Sequence, residues 1–526
     1  DVKGTKNKST YEMPQGRVQF GGDASMKMDA SVHATVLNLR DLLDVFRLSD
    51  DPRFDGIDGN LSGDTTLHFV LGGPEDKCGG GAISLHASPH LAGVDLFGEK
   101  FDDGDADLDL RWRDLLAGFQ GADLDVHAFT LHKVRRERDG TTFGSLLGSA
   151  TIKPGGILRG NVVLEGVPLS RLQTLGKIAP ELEGTVSGLA QVSGTIDAFT
   201  ADADVDVSPI HVRSADLGAS KLHLTMTQRP SKTRVVGHTT CGGPIGAPFD
   251  KDAYVKDTSS HGDYVVTGDL FGGQVHLDRV TASRAKQMEL SGAVKLRDFA
   301  IASIVKAMGK NEGSLAKLTG QLSGDVTIDR LRQGDYASAS AKFVPVSLSI
   351  EQDGKKLVLK PTGAPIVLGG DKVTVPPLEL DLSAGEGVTG AVTVQGGVRD
   401  PFGDPTLDVR ADLAPVDLSV LAVVVPKLER ATGSLSGSVH VTGSASDPQV
   451  DGEASVRASE LAIHGMPSPV NDVAVDLRAD ASEVRVARGT AKFAGGTLVL
   501  GGRVPIRNLG LGNVEPLEGC PPQPGA

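Results

Sequence analysis

Ala201-Asp202-Ala203-Asp204-Val205-Asp206-Val207 places alanine or valine at every second position, with aspartate between. Successive strand side chains leave opposite faces of a sheet, so a period of two specifies a strand with one dry and one wet face. The alternation returns through Asp105 to Arg111, where Leu108 and Leu110 sit between acidic residues. It returns again at Thr65 to Leu71 (Leu67, Phe69), at Val439-His440-Val441, at Val473 to Ala479 (Val475, Leu477) and at Gly496 to Leu500 (Leu498, Leu500). Such runs are about five to nine residues long and are joined by glycine, Asp-Gly or Pro-Gly, which signals hairpin after hairpin.

A second pattern groups these strands. Gly-x-(Leu/Val)-Ser-Gly occurs at Gly59–Gly63, Gly184–Gly188, Gly320–Gly324 and Gly433–Gly437, each time opening a series of alternating strands. Four copies in one context mark an internal repeat. The glycines suit bends, bulges or turns, and the motif serines suit turn chemistry. Before each copy the period changes. Leu39, Leu42, Leu43 and Phe46 follow helical spacing behind Asn38, a suitable N-cap, and Leu169, Leu172 and Leu175 do the same. Short helices are also expected over Leu296–Met308 and Val416–Leu421.

The predicted organisation is lead-in strands and a first helix over 1–55, repeat units over 56–180, 181–318 and 319–431, a partial unit over 432–513, and a disordered tail over 514–526. Residues 3–15 read as a polar lead. On the order of 40 short strands spaced ~4.8 Å apart would make a rod of about 150–200 Å.

Composition narrows the function. The balance of 53 Lys+Arg against 67 Asp+Glu, net −14, leaves no basic footprint for nucleic acid. Cys78, Cys241 and Cys520 are too far apart for a zinc ribbon or redox dithiol; a single Cys78–Cys241 bridge stays open. No apolar run reaches the length of a membrane span, so an anchor is expected outside this chain. The motif serines lack the Gly-x-Ser-x-Gly order of a hydrolase elbow, and no His/Asp partner recurs with them. His86 with His90, and His127 with His132, read as solvent-facing strand residues rather than metal pairs. No catalytic residue, cofactor or metal is assigned.

Aromatics are only 4% of the chain, and Trp112 is the one tryptophan. Large rings usually dominate core burial, so small aliphatics facing each other across a sandwich would leave voids. The expected fold is therefore mainly β: an elongated, curled antiparallel repeat sheet, a half-pipe with an apolar groove and about one short helix per repeat. The candidate groove residues are Leu67, Phe69, Leu108, Leu110, Val205 and Val207, then Val439, Val441, Val475, Leu477, Leu498 and Leu500. A structural, adhesin-like β-repeat protein with a self-filled core is the alternative.

The order helix, Gly-x-Leu-Ser-Gly, strand ending in glycine, then Asp-Pro-x-Val-x-Gly resembles the TamB and AsmA-like envelope proteins of Gram-negative bacteria. The match is best from Ala431 to Gly502, through Gly433-Ser434-Leu435-Ser436-Gly437, Val441-Thr442-Gly443, Asp447-Pro448 and Gly495-Gly496-Thr497-Leu498. The resemblance implies an internal fragment of a β-taco protein in the periplasm, anchored to the inner membrane. It implies phospholipid acyl chains as cargo between the two membranes, and outer-membrane protein assembly with an Omp85-type barrel as partner. This chain departs from the family in lacking the N-terminal anchor and in carrying Pro521-Pro522-Gln523-Pro524 where a terminal strand would stand.

Overall fold

The computed structural model describes residues 2–45, 56–76, 80–96, 98–113, 115, 121–135, 142–173, 182–196, 198–212, 215–228, 262–284, 288–300, 319–332, 335–352, 355–384, 390–401, 404–420, 428–444, 447–481 and 483–505. The three cysteines and the tail lie outside these. The chain divides into two compact units, one of residues 1–212, 216–272 and 279–289, the other of 213–215, 273–278 and 290–526. Each contains two copies of the glycine motif.

The first unit opens with β1 (Val2–Lys6), β2 (Ser9–Phe20) and β3 (Met26–Asn38), then α1 (Leu39–Val45). It continues with β4 (Ile57–Leu71), β5 (Ala82–Ala87), β6 (His90–Leu96), β7 (Glu99–Trp112), β8 (Ala122–Arg135), β9 (Thr142–Lys153) and β10 (Ile157–Pro168). After a 3₁₀ turn at Leu169–Arg171 come β11 (Leu182–Glu183), β12 (Thr185–Thr195), β13 (Ala198–Val212), β14 (Ala215–Thr227) and β15 (Asp263–Leu270). β16 (Val275–Arg284) and β17 (Met288–Ala300) contain the division between the units.

The second unit runs through β18 (Thr319–Arg332), β19 (Asp335–Gln352), β20 (Lys355–Gly363), β21 (Ile366–Gly369), β22 (Lys372–Ala384), β23 (Gly390–Arg399) and β24 (Thr406–Asp417). A 3₁₀ turn at Leu418–Val420 leads to β25 (Leu428–Ser444), β26 (Asp447–Ile463), β27 (Val470–Asp480), β28 (Glu483–Phe493), β29 (Gly496–Val499) and β30 (Gly502–Pro505).

Within each unit the pairing is an antiparallel meander. Among the described residues, β11 and β12 lie end to end along β13 and β29 and β30 along β28, and in two places a position between two other strands is filled by two strands end to end. β5 and β6 lie between β4 and β7, parted at Ser88-Pro89, and β20 and β21 lie between β19 and β22, parted at Ala364-Pro365. Proline has no N–H for the ladder, so the break falls there.

Many of the described strands are longer than expected. Thirty are described, with seventeen residues in β25 and in β26 and eighteen in β19. The polar lead is strand: Lys3 to Lys6 and Ser9 to Gln15 belong to β1 and β2. The glycine motifs explain the difference, because they do not end strands. Gly59–Gly63 lies inside β4, Gly320–Gly324 inside β18 and Gly433–Gly437 inside β25, so their serines are strand residues rather than turn residues.

What the first, second and fourth motifs face is a β-bulge. Ala34 is opposite Gly63 and Leu37 opposite Leu61; Leu164 is opposite Gly188 and Val167 opposite Val186; Leu413 is opposite Gly437 and Val416 opposite Leu435. In all three the strand before the motif spends one extra residue over the same span, which is the definition of a bulge. The glycines allow close approach on the motif's other side. A Cβ on Gly433, at φ 149°, would lie 2.6 Å from the Ala458 Cα.

Helix is scarcer than expected. Leu39–Val45 is the one α-helix among the described residues, and Asn38 caps it by accepting the Arg40 N–H at 3.0 Å. The Asp41 carboxylate docks it, accepting from Ser9 Oγ and Asn7 Nδ2 at 2.6 Å each, and those bonds hold its pKa below the usual carboxylate value. Of the helices expected at 169 and 416, the described parts hold 3₁₀ turns at Leu169–Arg171 and Leu418–Val420, and their remaining residues, from 174 and from 421, lie outside the described residues. Leu296–Ala300 is strand; the remainder of that expected helix, 301–308, lies outside the described residues. Hydrophobic cores gather at these turns: Leu169 packs with Val186, Val207 and Ile210, and Leu418 with Leu428, Ala431, Ala458, Val473 and Ala491.

Candidate functional site

Register, more than any single residue, builds the candidate site. Side chains opposite each other in an antiparallel ladder share a face, so following the pairing from strand to strand traces a lane across the sheet. In the first unit one lane reads Ala30, Leu67, Leu85, Leu110, Leu124, Ile152, Leu158, apolar at every step from β3 to β10. A lane in the second unit reads Leu380, Val392, Leu413, Gly437, Ala454, Leu477, Val486, from β22 to β28. Each covers seven strand positions, or about 29 Å at ~4.8 Å per step.

The expected groove residues distribute over these lanes. Leu67 and Leu110 lie in the first. Leu108 lies in the next lane over, between Ala87 and Val126, and Phe69 pairs with Met28 and Ile83. Val205 pairs with Gly188, and Val207 with Val186. In the second unit Leu477 is in the main lane, Val475 pairs with Val456, Val439 with Ala411, and Val441 with Val409. Leu498 and Leu500 stand apart: they are 40% and 39% exposed beside the short β29, and Leu498 pairs only with Ala491.

Burial describes how these faces are covered. Leu67, Phe69, Leu108, Leu110, Val205, Val439, Val441, Val475 and Leu477 are all half-buried, while Val207 is buried under the Leu169 turn. A residue in a sandwich core would be fully covered; these keep accessible surface in mid-strand.

The other face carries a feature that single-strand reasoning missed. Ten of the eleven described histidines lie within 4.0 Å of a carboxylate oxygen: His33, His68, His86, His90, His127, His211, His223, His276, His440 and His464. His132 meets Ser145 Oγ instead. The densest group centres on Asp109, which receives His86 Nδ1 at 3.0 Å and His127 Nε2 at 3.1 Å. Those hydrogen bonds, His127 first, hold the Asp109 pKa below the ordinary carboxylate value, and the bond to Asp109 raises that of His127. The signal was present as Asp on one strand and His on another, but it becomes visible only once the register is known.

Among the described residues no helix is long and apolar enough to cross a membrane. No family model, curated protein or solved structure matches the chain.

Proposed function

We propose that this protein is a non-enzymatic envelope-biogenesis factor of the TamB/AsmA-like kind, whose apolar face carries phospholipid acyl chains. The supporting observation is the half-buried seven-step apolar lane found in each unit. An acyl chain gains about 0.8 kcal/mol per methylene removed from water, so ~14 carbons gain on the order of 10 kcal/mol before ordering costs. A bilayer's hydrocarbon core is about 30 Å across two leaflets, so a 29 Å lane has room for two acyl chains end to end. Aliphatic tails offer nothing to hydrogen-bond, and the lanes correspondingly present only carbon. In this reading the chain works in the periplasm, held to the inner membrane by a segment outside this sequence, with an Omp85-type barrel as its outer-membrane partner.

The test is site-specific photocrosslinking in Gram-negative cells. A photoreactive residue at Leu110 or Leu477 should capture phospholipid, identified by mass spectrometry, while one at Asp204 on the wet face should not. Val205→Asp and Val475→Asp should lower co-purified phospholipid in a folded protein, because a charge in an apolar path is costly to pass. Equal crosslinking from both faces, or none from the apolar one, would leave the self-filled structural repeat as the better account.

A further inference from the structure

On the wet face of the first unit, a groove of 580 Å³ crosses β2, β3, β4, β5 and β7. Its floor is the backbone of Gly16, Ala30, Leu67 and Leu85, the last three sending their side chains to the apolar face. The short side chains of Ser31, Thr66 and Ser84 give it depth, and no apolar side chain rises from its walls. The volume is that of a small-molecule site, but the side chains that rise into it are polar.

Its charges are distributed unevenly. Arg17 and Arg111 both line the groove, and each lies directly opposite an aspartate in the ladder, Asp29 and Asp123. Neither aspartate serves its arginine. Asp29 is taken by His68 Nδ1 at 2.6 Å and Asp123 by Lys153 Nζ at 2.8 Å. Asp109, the other carboxylate of the groove, is occupied by His86 and His127. Among the described residues two guanidiniums are thus left over in one hydroxyl-lined groove, on a chain of net charge −14. A guanidinium presents a planar fork of donors that matches an oxyanion and is weakly hydrated, so it is suited to phosphate.

We propose that this groove binds a phosphate-bearing polar ligand, with Arg17 at one end and Arg111 four strand positions away at the other, each placed to hold an anion there, and the hydroxyls of Ser31, Thr66 and Ser84 between them bonding the polar remainder. The site lies on the face opposite the apolar lane, so it does not depend on acyl-chain binding there. The phosphate could belong to a free ester or to a lipid headgroup, and two probes separate these.

The experiment titrates the full chain, in phosphate-free buffer, with glycerol 3-phosphate by calorimetry and with phosphatidylglycerol vesicles by flotation. The variants are R17Q/R111Q and, as a control for lost surface charge, K221Q, at the 85% exposed Lys221. Both carry exposed substitutions, and circular dichroism checks that the strand content is retained. Saturable glycerol 3-phosphate binding that weakens at least tenfold in R17Q/R111Q, and less than twofold in K221Q, supports the site with a free ester as ligand. Vesicle binding alone, lost in the same selective way, supports it with a headgroup as ligand. Binding of neither probe, or binding that R17Q/R111Q leaves unchanged or K221Q lowers equally, overturns it.

Discussion

Ser187 Oγ accepts the backbone N–H of Gly166 at 3.0 Å, closing the bulge that the second glycine motif faces. The third copy repeats this bond between Ser323 Oγ and the N–H of Asp298 at 2.9 Å, and Gly166 and Asp298 share a left-handed backbone, at φ 56° and 47°. The motif serine therefore satisfies the amide that the bulge removes from the ladder. In the fourth copy the equivalent position is Pro415, which has no N–H to offer. Ser187→Ala and Ser323→Ala should each lower stability by about 1 kcal/mol, the net worth of one hydrogen bond, while Ser436→Ala should cost less than about 0.5 kcal/mol. Urea midpoints of the three variants check this; equal losses at all three would remove the serine from the bulge.

Glycine inside the motif should be irreplaceable for a different reason. Gly433 has φ 149°, and its missing Cβ leaves room for the Arg457 carbonyl and the Ala458 Cα. Gly433→Ala is expected to cost at least about 2 kcal/mol, from backbone strain and from displacement of β26. Gly369→Ala, where a Cβ meets nothing and φ is ordinary, should be neutral to slightly stabilising. Thermal melting of the pair distinguishes the two effects.

Lys133 is the polar residue most out of place. Its side chain is 2% exposed, with the ammonium 2.6 Å from Glu99 Oε2 and 4.7 Å from the centre of the Phe101 ring, and the same Glu99 oxygen accepts the Gln173 N–H at 3.1 Å. Glu99→Ala should destabilise by about 3–5 kcal/mol by leaving a buried cation unpaired. Lys133→Met keeps the packing and removes the charge, so it should cost clearly less. A larger loss in Lys133→Met would count against this reading of the pair.

The Asp109–His127 contact makes a prediction in pH. The His127 pKa is raised above its ordinary 6.5, so its contribution is full below that value and is lost as pH rises through the folded-state pKa. The Asp109 pKa is lowered, so its contribution is present above the ordinary carboxylate value of 3.8 and is lost as pH falls through its folded-state pKa. The melting-temperature gap between wild type and His127→Gln should therefore be largest near pH 5–6 and close by about pH 8.5. A gap that does not change with pH would show that the contact carries no charge.

The period of two in residues such as Ala201 to Val207 determined that this chain would be strands with a dry and a wet face, because side-chain alternation is a local property of extended backbone. Composition, with aromatics at only 4%, determined that rings could fill only a small part of the cores. The ends of strands were not legible, because a glycine or proline that reads as a turn can equally sit in a bulge, and only the neighbouring strand decides which. Helical spacing at Leu296 to Phe299 was likewise overridden: β17 continues to Ala300, and the Asp298 amide finds its acceptor on Ser323 rather than in a helical turn. Lys133 falls on the face of Phe129 and Leu131, yet nothing local says that Glu99, thirty-four residues earlier, supplies its counter-charge. Lanes, histidine–carboxylate pairs and the leftover arginines all depend on which residue stands opposite which. That is register, a relation between distant segments, and only the tertiary structure decided it.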